Sequence, residues 1–196
     1  MTNLTKKQKN RRLAESALML ALSTILAELP VISLPFGGSV TLFSQVPIVL
    51  VSYRYGVKWG VSTGLVMSML QLVLGAHNFS YVKGIVSFLI LALCDYIIAF
   101  TALGLGGMFK NKIKNDVFAI SLGGVVVSVI RFICHFISGA TIWKEYAEGA
   151  PVLEYSFSYN ISYMLPELII TVIGLVVITG VFDLKSLELK TKIKKK

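Results

Sequence analysis

The run from His135 to Asn160, HFISGATIWKEYAEGAPVLEYSFSYN, gathers His135, Trp143, Tyr146, Tyr155, Tyr159 and Asn160 at the junction of two apolar stretches. These side chains donate, accept and stack, and none is needed to keep a helix in lipid. Polar groups held beside hydrocarbon mark a ligand site or a pathway. Deep in the neighbouring apolar runs lie Asp95, Arg131 and His135, where inserting a charge costs about 2.5–3.5 kcal/mol. At about 1.5 Å per residue, Asp95 falls about 16 Å and Arg131 about 15 Å below the outer ends of their spans. His135 stands one turn above Arg131 on the same helix face. Two readings follow. Asp95 and Arg131 form an ion pair that ties two helices, or Asp95 and His135 offer hydrogen bonds to a polar ligand entering from outside. The aromatics divide in the same way. Trp143, Tyr146 and Tyr155 fit an interfacial belt, yet a belt needs no acid, imidazole or amide beside it. Aromatic faces with a carboxylate suit a flat cation, at about 0.5–2 kcal/mol per cation–π contact. Asn160 both donates and accepts, which suits the edge of a heteroaromatic ring.

Other chemistries fit the spacing less well. Gly60-Val61-Ser62-Thr63-Gly64 matches G-x-S-x-G, which in α/β-hydrolases puts the serine on a strand-to-helix turn. Here the serine opens an apolar helix, so the rival reading is an intramembrane serine hydrolase that pairs Ser62 with His135. Depth opposes it: the two sit toward opposite sides of a core about 30 Å thick, and a dyad needs about 3 Å. A metal site built from Cys94, Asp95, Cys134 and His135 would require helix neighbours about 100° apart to converge, and no metal is expected. The two cysteines read as small buried residues. No G-x-x-x-x-G-K-[ST] phosphate loop occurs, so the chain does not drive transport with ATP by itself, and no cofactor is expected.

The elements that must position these residues are membrane helices. With 55% hydrophobic and 15% charged residues, the 196-residue chain is too apolar for a soluble domain. A net charge of +9 raises nucleic acid as a partner, but the basic residues sit in short runs between apolar segments, the arrangement that orients helices in a bilayer. Nucleic acid is therefore not expected. Six spans can be marked, roughly 13–29, 41–55, 57–75, 84–107, 117–141 and 158–182, most of them near the length a crossing helix needs. The expected class is an all-α integral membrane protein, one domain over residues 1–196, with Pro47 kinking or tilting a short second span. The start resembles a cleavable signal, but with further spans behind it reads better as a first membrane helix. Six spans place all but Lys83, Lys144 and Arg131 of the 19 basic residues on one side, so both termini are expected in the cytoplasm. The outward loops are then SLPFGGSV, GAHNFSYVK and WKEYAEGAPVLEYS. The Gly37-Gly38 pair after Pro35 allows a tight turn, either a lid over an outward pocket or a plain connector. The lysine-rich end is expected to lie against anionic headgroups.

The chain resembles the thiamine-specific substrate-binding subunit (S component) of energy-coupling factor transporters. The residues that carry this are Ala17-x-x-x-Ala21 after the basic start, PFGGSV, PIVLVSYRYGVKWG, CDYIIAF and, most specifically, RFICHFISGATIW followed by YSFSYNISYMLP. The resemblance implies six membrane helices in a prokaryotic plasma membrane, an outward pocket closed by the first loop, and no catalysis. It also implies partners: thiamine, a transmembrane coupling subunit and two ATPase subunits. The matching pocket positions are Asp95, Tyr96, His135, Trp143, Tyr155 and Asn160, while Ala17 and Ala21 match the small-residue motif that packs on the coupling subunit. A thiazolium cation suits the Trp143 and Tyr155 faces, and an aminopyrimidine edge suits Asp95, His135 and Asn160. Another heteroaromatic vitamin or a thiamine precursor is the alternative ligand. Two departures stand out: Asp95 replaces a glutamate found in some members, and PFGGSV lacks a tryptophan that some place over the ligand. Tyr81 and His77 are the candidates to replace that tryptophan.

Overall fold

The structure, a computed structural model, describes residues 5–147 and 149–184; the lysine-rich end lies outside them. The chain runs α1 (Lys6–Ala27), a hairpin of β1 (Pro30–Ser33) and β2 (Ser39–Thr41), α2 (Val46–Tyr55) and α3 (Val57–Leu74). It continues through α4 (Ile85–Leu105), α5 (Asp116–Thr141) and α6 (Val152–Val181). Four of these, α3 to α6, are long and apolar enough to cross a membrane. Their outward faces carry leucine, isoleucine, valine and phenylalanine, among them Leu65, Phe88, Ile133 and Ile173, as a lipid-facing surface requires.

Local chemistry sets the boundaries. The first helix begins earlier than hydropathy predicts because Thr5 and Gln8 form a capping box: the Thr5 amide donates to Gln8 Oε1 at 2.9 Å, and the Gln8 amide to Thr5 Oγ1 at 3.3 Å. Satisfying two orphan amides lets the helix start inside the polar, basic segment. The second helix begins later. The segment expected to open it supplies β2 and a turn through Phe43, whose φ is 60°. Pro47 sits in the first turn of α2, where no amide is lost, and so starts the helix rather than kinking it. Ten residues remain, about 15 Å of rise. The last helix starts before the expected boundary and carries Tyr155 on its first turns.

The bundle has two halves. Toward the 55–57 and 105–116 connections a core of Val46, Ile48, Val49, Met67, Leu103, Ile120, Val127 and Leu175 fills the interior. There α3 meets α4 almost backbone to backbone: a Cβ on Gly60 would lie 2.6 Å from Gly104 O, and one on Gly64 2.8 Å from Thr101 O. The two glycines of G-x-S-x-G are therefore a packing seam. Ser62, between them, is exposed and donates to Lys58 O at 3.1 Å. At this same end Glu15 accepts from Arg11 at 2.7 Å and from Arg54 at 2.9 Å, and Arg12 lies 3.8 Å over the Trp59 ring. The other half is hollow.

Candidate functional site

The hollow is a cavity of about 350 Å³ between the hairpin, α3, α4, α5 and α6, at the small end of ligand sites, which span roughly 300–1,000 Å³. Asp95 and Tyr96 enter it from a wider, π-helical stretch of α4, Leu91–Ile98. A π turn brings sequence neighbours nearer to one side than an α turn does, and such turns recur at functional sites. Here both side chains line the cavity.

Asp95 is its centre. Oδ2 accepts from Ser138 Oγ at 2.7 Å and from Trp143 Nε1 at 3.4 Å, while Oδ1 lies 3.1 Å from His135 Nδ1. The carboxylate thus draws together three groups from α5 and the turn that follows it. Asp95 and His135 remain 14% and 15% exposed, open enough to meet a ligand. Tyr96 donates to Gly75 O at 2.9 Å and accepts from Asn78 Nδ2 at 2.8 Å, which pins the α3–α4 connection. Asn160 donates to Ser156 O at 2.8 Å and accepts from Tyr163 Oη at 2.8 Å. Tyr155 stacks on Tyr159, centroids 6.0 Å apart. All six residues expected at the pocket, Asp95, Tyr96, His135, Trp143, Tyr155 and Asn160, line this one cavity.

Arg131 also lines it, but not as Asp95's partner. Its Nη1 lies 3.5 Å from Glu167 Oε2, with both side chains almost fully buried. Glu167 Oε1 accepts from Thr41 Oγ1 at 2.7 Å and Ser44 Oγ at 3.4 Å. Of the two readings, the Asp95–Arg131 pair does not form: Arg131 pairs between α5 and α6, and Asp95 faces the cavity with His135. Glu167 escaped the sequence reading, although a carboxylate in the last apolar run was the available signal. With Glu167 set against Arg131, Asp95 and Glu28 give the lining a surplus of acid.

The first loop supplies an aromatic cover that was also missed. Phe36, at φ 64° in the turn Pro35–Gly37, lies 4.3 Å from the Tyr146 ring centroid and 6.1 Å from that of Trp143. Tyr81 meets Phe36 edge-on at 6.3 Å and Trp143 at 5.9 Å, and His77 lines the cavity. Phe36 and His77 thus line the cavity from the first two outward loops, and Tyr81 packs on Phe36 outside it. Tyr159, a member of the His135–Asn160 cluster that the resemblance does not place in the pocket, also lines the cavity. Ser62 and His135 stand at opposite ends of the bundle, and His135 is bonded to Asp95. Ala17 and Ala21 do not line the cavity; they lie on the exposed face of α1 beside Leu18, Leu22 and Ile25.

Residues 13–186 match the family described as thiamine transporter protein. The chain is 36% identical over 176 residues to thiamine transporter ThiT of Bacillus subtilis (strain 168), covering 84% of this chain and 88% of that protein. A solved structure of ThiT from Listeria monocytogenes superposes with a TM-score of 0.70 at 21% identity, over 88% of this chain and 94% of the other. The S component of a bacterial ECF transporter superposes with a TM-score of 0.56 at 19% identity, over 88% and 95%. These two establish likeness of fold.

Proposed function

The chain belongs to the thiamine transporter protein family, and from that premise we propose that it is the substrate-binding S component of an energy-coupling factor importer, taking thiamine from the outside. The observation that carries the reading is Asp95: a carboxylate with Trp143, Tyr96, His135 and Asn160 around it, in a cavity whose acids outnumber its one arginine. A permanently cationic thiazolium meets opposite charge and aromatic faces there. An aminopyrimidine meets donors and acceptors on His135 and Asn160.

The same reading places the protein in the plasma membrane of a prokaryotic cell as a single domain with six passes and both termini cytoplasmic. The short α2 completes its pass together with the base of the hairpin. Support comes from the basic residues gathered at the α2–α3 and α4–α5 connections, as cytoplasmic loops require. The chain acts without catalysis. It hands thiamine on when a transmembrane coupling subunit and two ATPase subunits work, with the small residues Ala17 and Ala21 on the docking face of α1.

Tryptophan fluorescence of the purified protein, titrated with thiamine, tests the ligand. The chain has two tryptophans: Trp59 is held at the far end by Ser16 and Arg12, so quenching reports Trp143. We expect saturable quenching in the wild type. By calorimetry, where loss of the fluorophore does not matter, Trp143→Ala and His135→Ala are expected to lose most of the binding. Binding that survives both changes removes the site assignment, and absence of binding in the wild type removes the ligand.

A further inference from the structure

The hydroxyl of Tyr159 occupies a particular place in the first loop. It accepts a hydrogen bond from the Gly38 amide at 3.0 Å and donates one to the Pro35 carbonyl. One side-chain atom therefore joins both ends of the turn Pro35-Phe36-Gly37-Gly38, and that turn carries Phe36 against Trp143 and Tyr146. The turn is costly to hold. Phe36 sits in the left-handed region at φ 64°, which a non-glycine residue enters only where surrounding contacts fix it. Within the loop, the amide of Leu34 donates to Gly38 O at 2.7 Å, which closes the hairpin on itself but ties it to no helix. Tyr159 makes that connection, from α6. Gly38 is cut to fit it: its own φ of −65° suits any residue, yet a Cβ there would lie 2.7 Å from the Tyr159 hydroxyl and 3.0 Å from the Tyr163 ring. Further in, Glu167, also on α6, accepts from Thr41 and Ser44 at the base of the hairpin. The base is held by hydrogen bonds to a buried carboxylate, and the tip by those to a half-buried phenol together with the packing of Phe36.

We propose that the Tyr159 hydroxyl is the latch of the first loop, a positioning residue that holds Phe36 over the cavity and sets how fast a bound ligand leaves. The proposal rests on the reading of the cavity as a ligand site with the first loop as its cover. Removing the oxygen alone frees the tip while Glu167 keeps the base, so the loop opens more often but stays attached. Opening raises exit more than it changes contacts with the bound molecule, because Tyr159→Phe leaves the Asp95 cluster untouched.

Two measurements on the full chain in detergent test this, on wild type, Tyr159→Phe and Gly38→Ala; the second variant crowds the phenol, and also the Tyr163 ring, while keeping the sequence of α6. Amide hydrogen exchange of the ligand-free protein is expected to rise over residues 34–39 in both variants, with α3, α5 and α6 unchanged. Stopped-flow release of thiamine is expected to be roughly tenfold faster in both, the scale of two lost hydrogen bonds, with the association rate changed far less. Unchanged exchange over 34–39 in Tyr159→Phe overturns the latch, and so does faster exchange throughout the bundle, which would make Tyr159 a general stabiliser. Unchanged release with faster local exchange overturns its control of exit. If the wild type does not bind thiamine, the ligand reading fails by itself, and the exchange comparison still decides whether Tyr159 holds the loop.

Discussion

At the scale of single residues, the site turns on one charge and its arrangement. Asp95 is bonded to Ser138, His135 and Trp143, so its two oxygens face fixed donors and keep one position. The π-helical setting of Asp95 is the feature that lets it share the cavity with Tyr96. Asp95→Asn keeps the shape and removes the charge. We expect the thiamine Kd to rise at least roughly 30-fold, the scale of about 2–5 kcal/mol for losing one partner of a buried charge pair. Titration calorimetry reads this directly, and an unaltered Kd would show that the cation is not held by Asp95.

At the scale of elements, the Arg131–Glu167 pair joins α5 to α6 at the cavity floor. Both groups are buried, so their attraction is offset by the cost of removing them from water, whereas losing one partner strands the other. Arg131 Nε has no hydrogen-bond partner among the described residues, which lowers what the pair contributes. Arg131→Met alone is expected to cost about 3–5 kcal/mol, and Arg131→Met with Glu167→Met to recover most of it. Thermal unfolding in detergent measures both. Additive losses would mean that the two side chains act separately, Glu167 through the hydroxyls of Thr41 and Ser44.

At the scale of the whole molecule, the two halves have separate tasks. The packed half, where Gly60 and Gly104 bring α3 against α4, gives a rigid base near the charged loops. The hollow half opens toward the hairpin. None of the exposed α1 residues Ala17, Leu18, Ala21, Leu22 and Ile25 lines the cavity, so the docking face proposed for α1 is separable from ligand capture. Ala17→Trp is accordingly expected to leave thiamine affinity of the isolated chain unchanged and to abolish uptake in cells carrying the complete importer, with a bulky ring blocking close helix approach. Uptake at the normal rate would exclude that face as the docking surface.

What the sequence determined is whatever depends on residues near one another along the chain. Apolar run lengths and the placement of lysine and arginine predicted membrane helices, and the polar cluster from His135 to Asn160 predicted where a site would be. The resemblance then picked out its members, and all six line the one cavity. What only the tertiary structure decided is pairing across helices. Arg131 takes Glu167 rather than Asp95, Phe36 lies over Trp143, and Tyr159 bonds the first loop. Each depends on the rotation and axial offset of one helix against another, differences of a few ångströms that hydropathy does not encode. The same holds for Gly60 and Gly64: a hydrolase-like spacing in one dimension becomes, in three, the seam where two backbones touch.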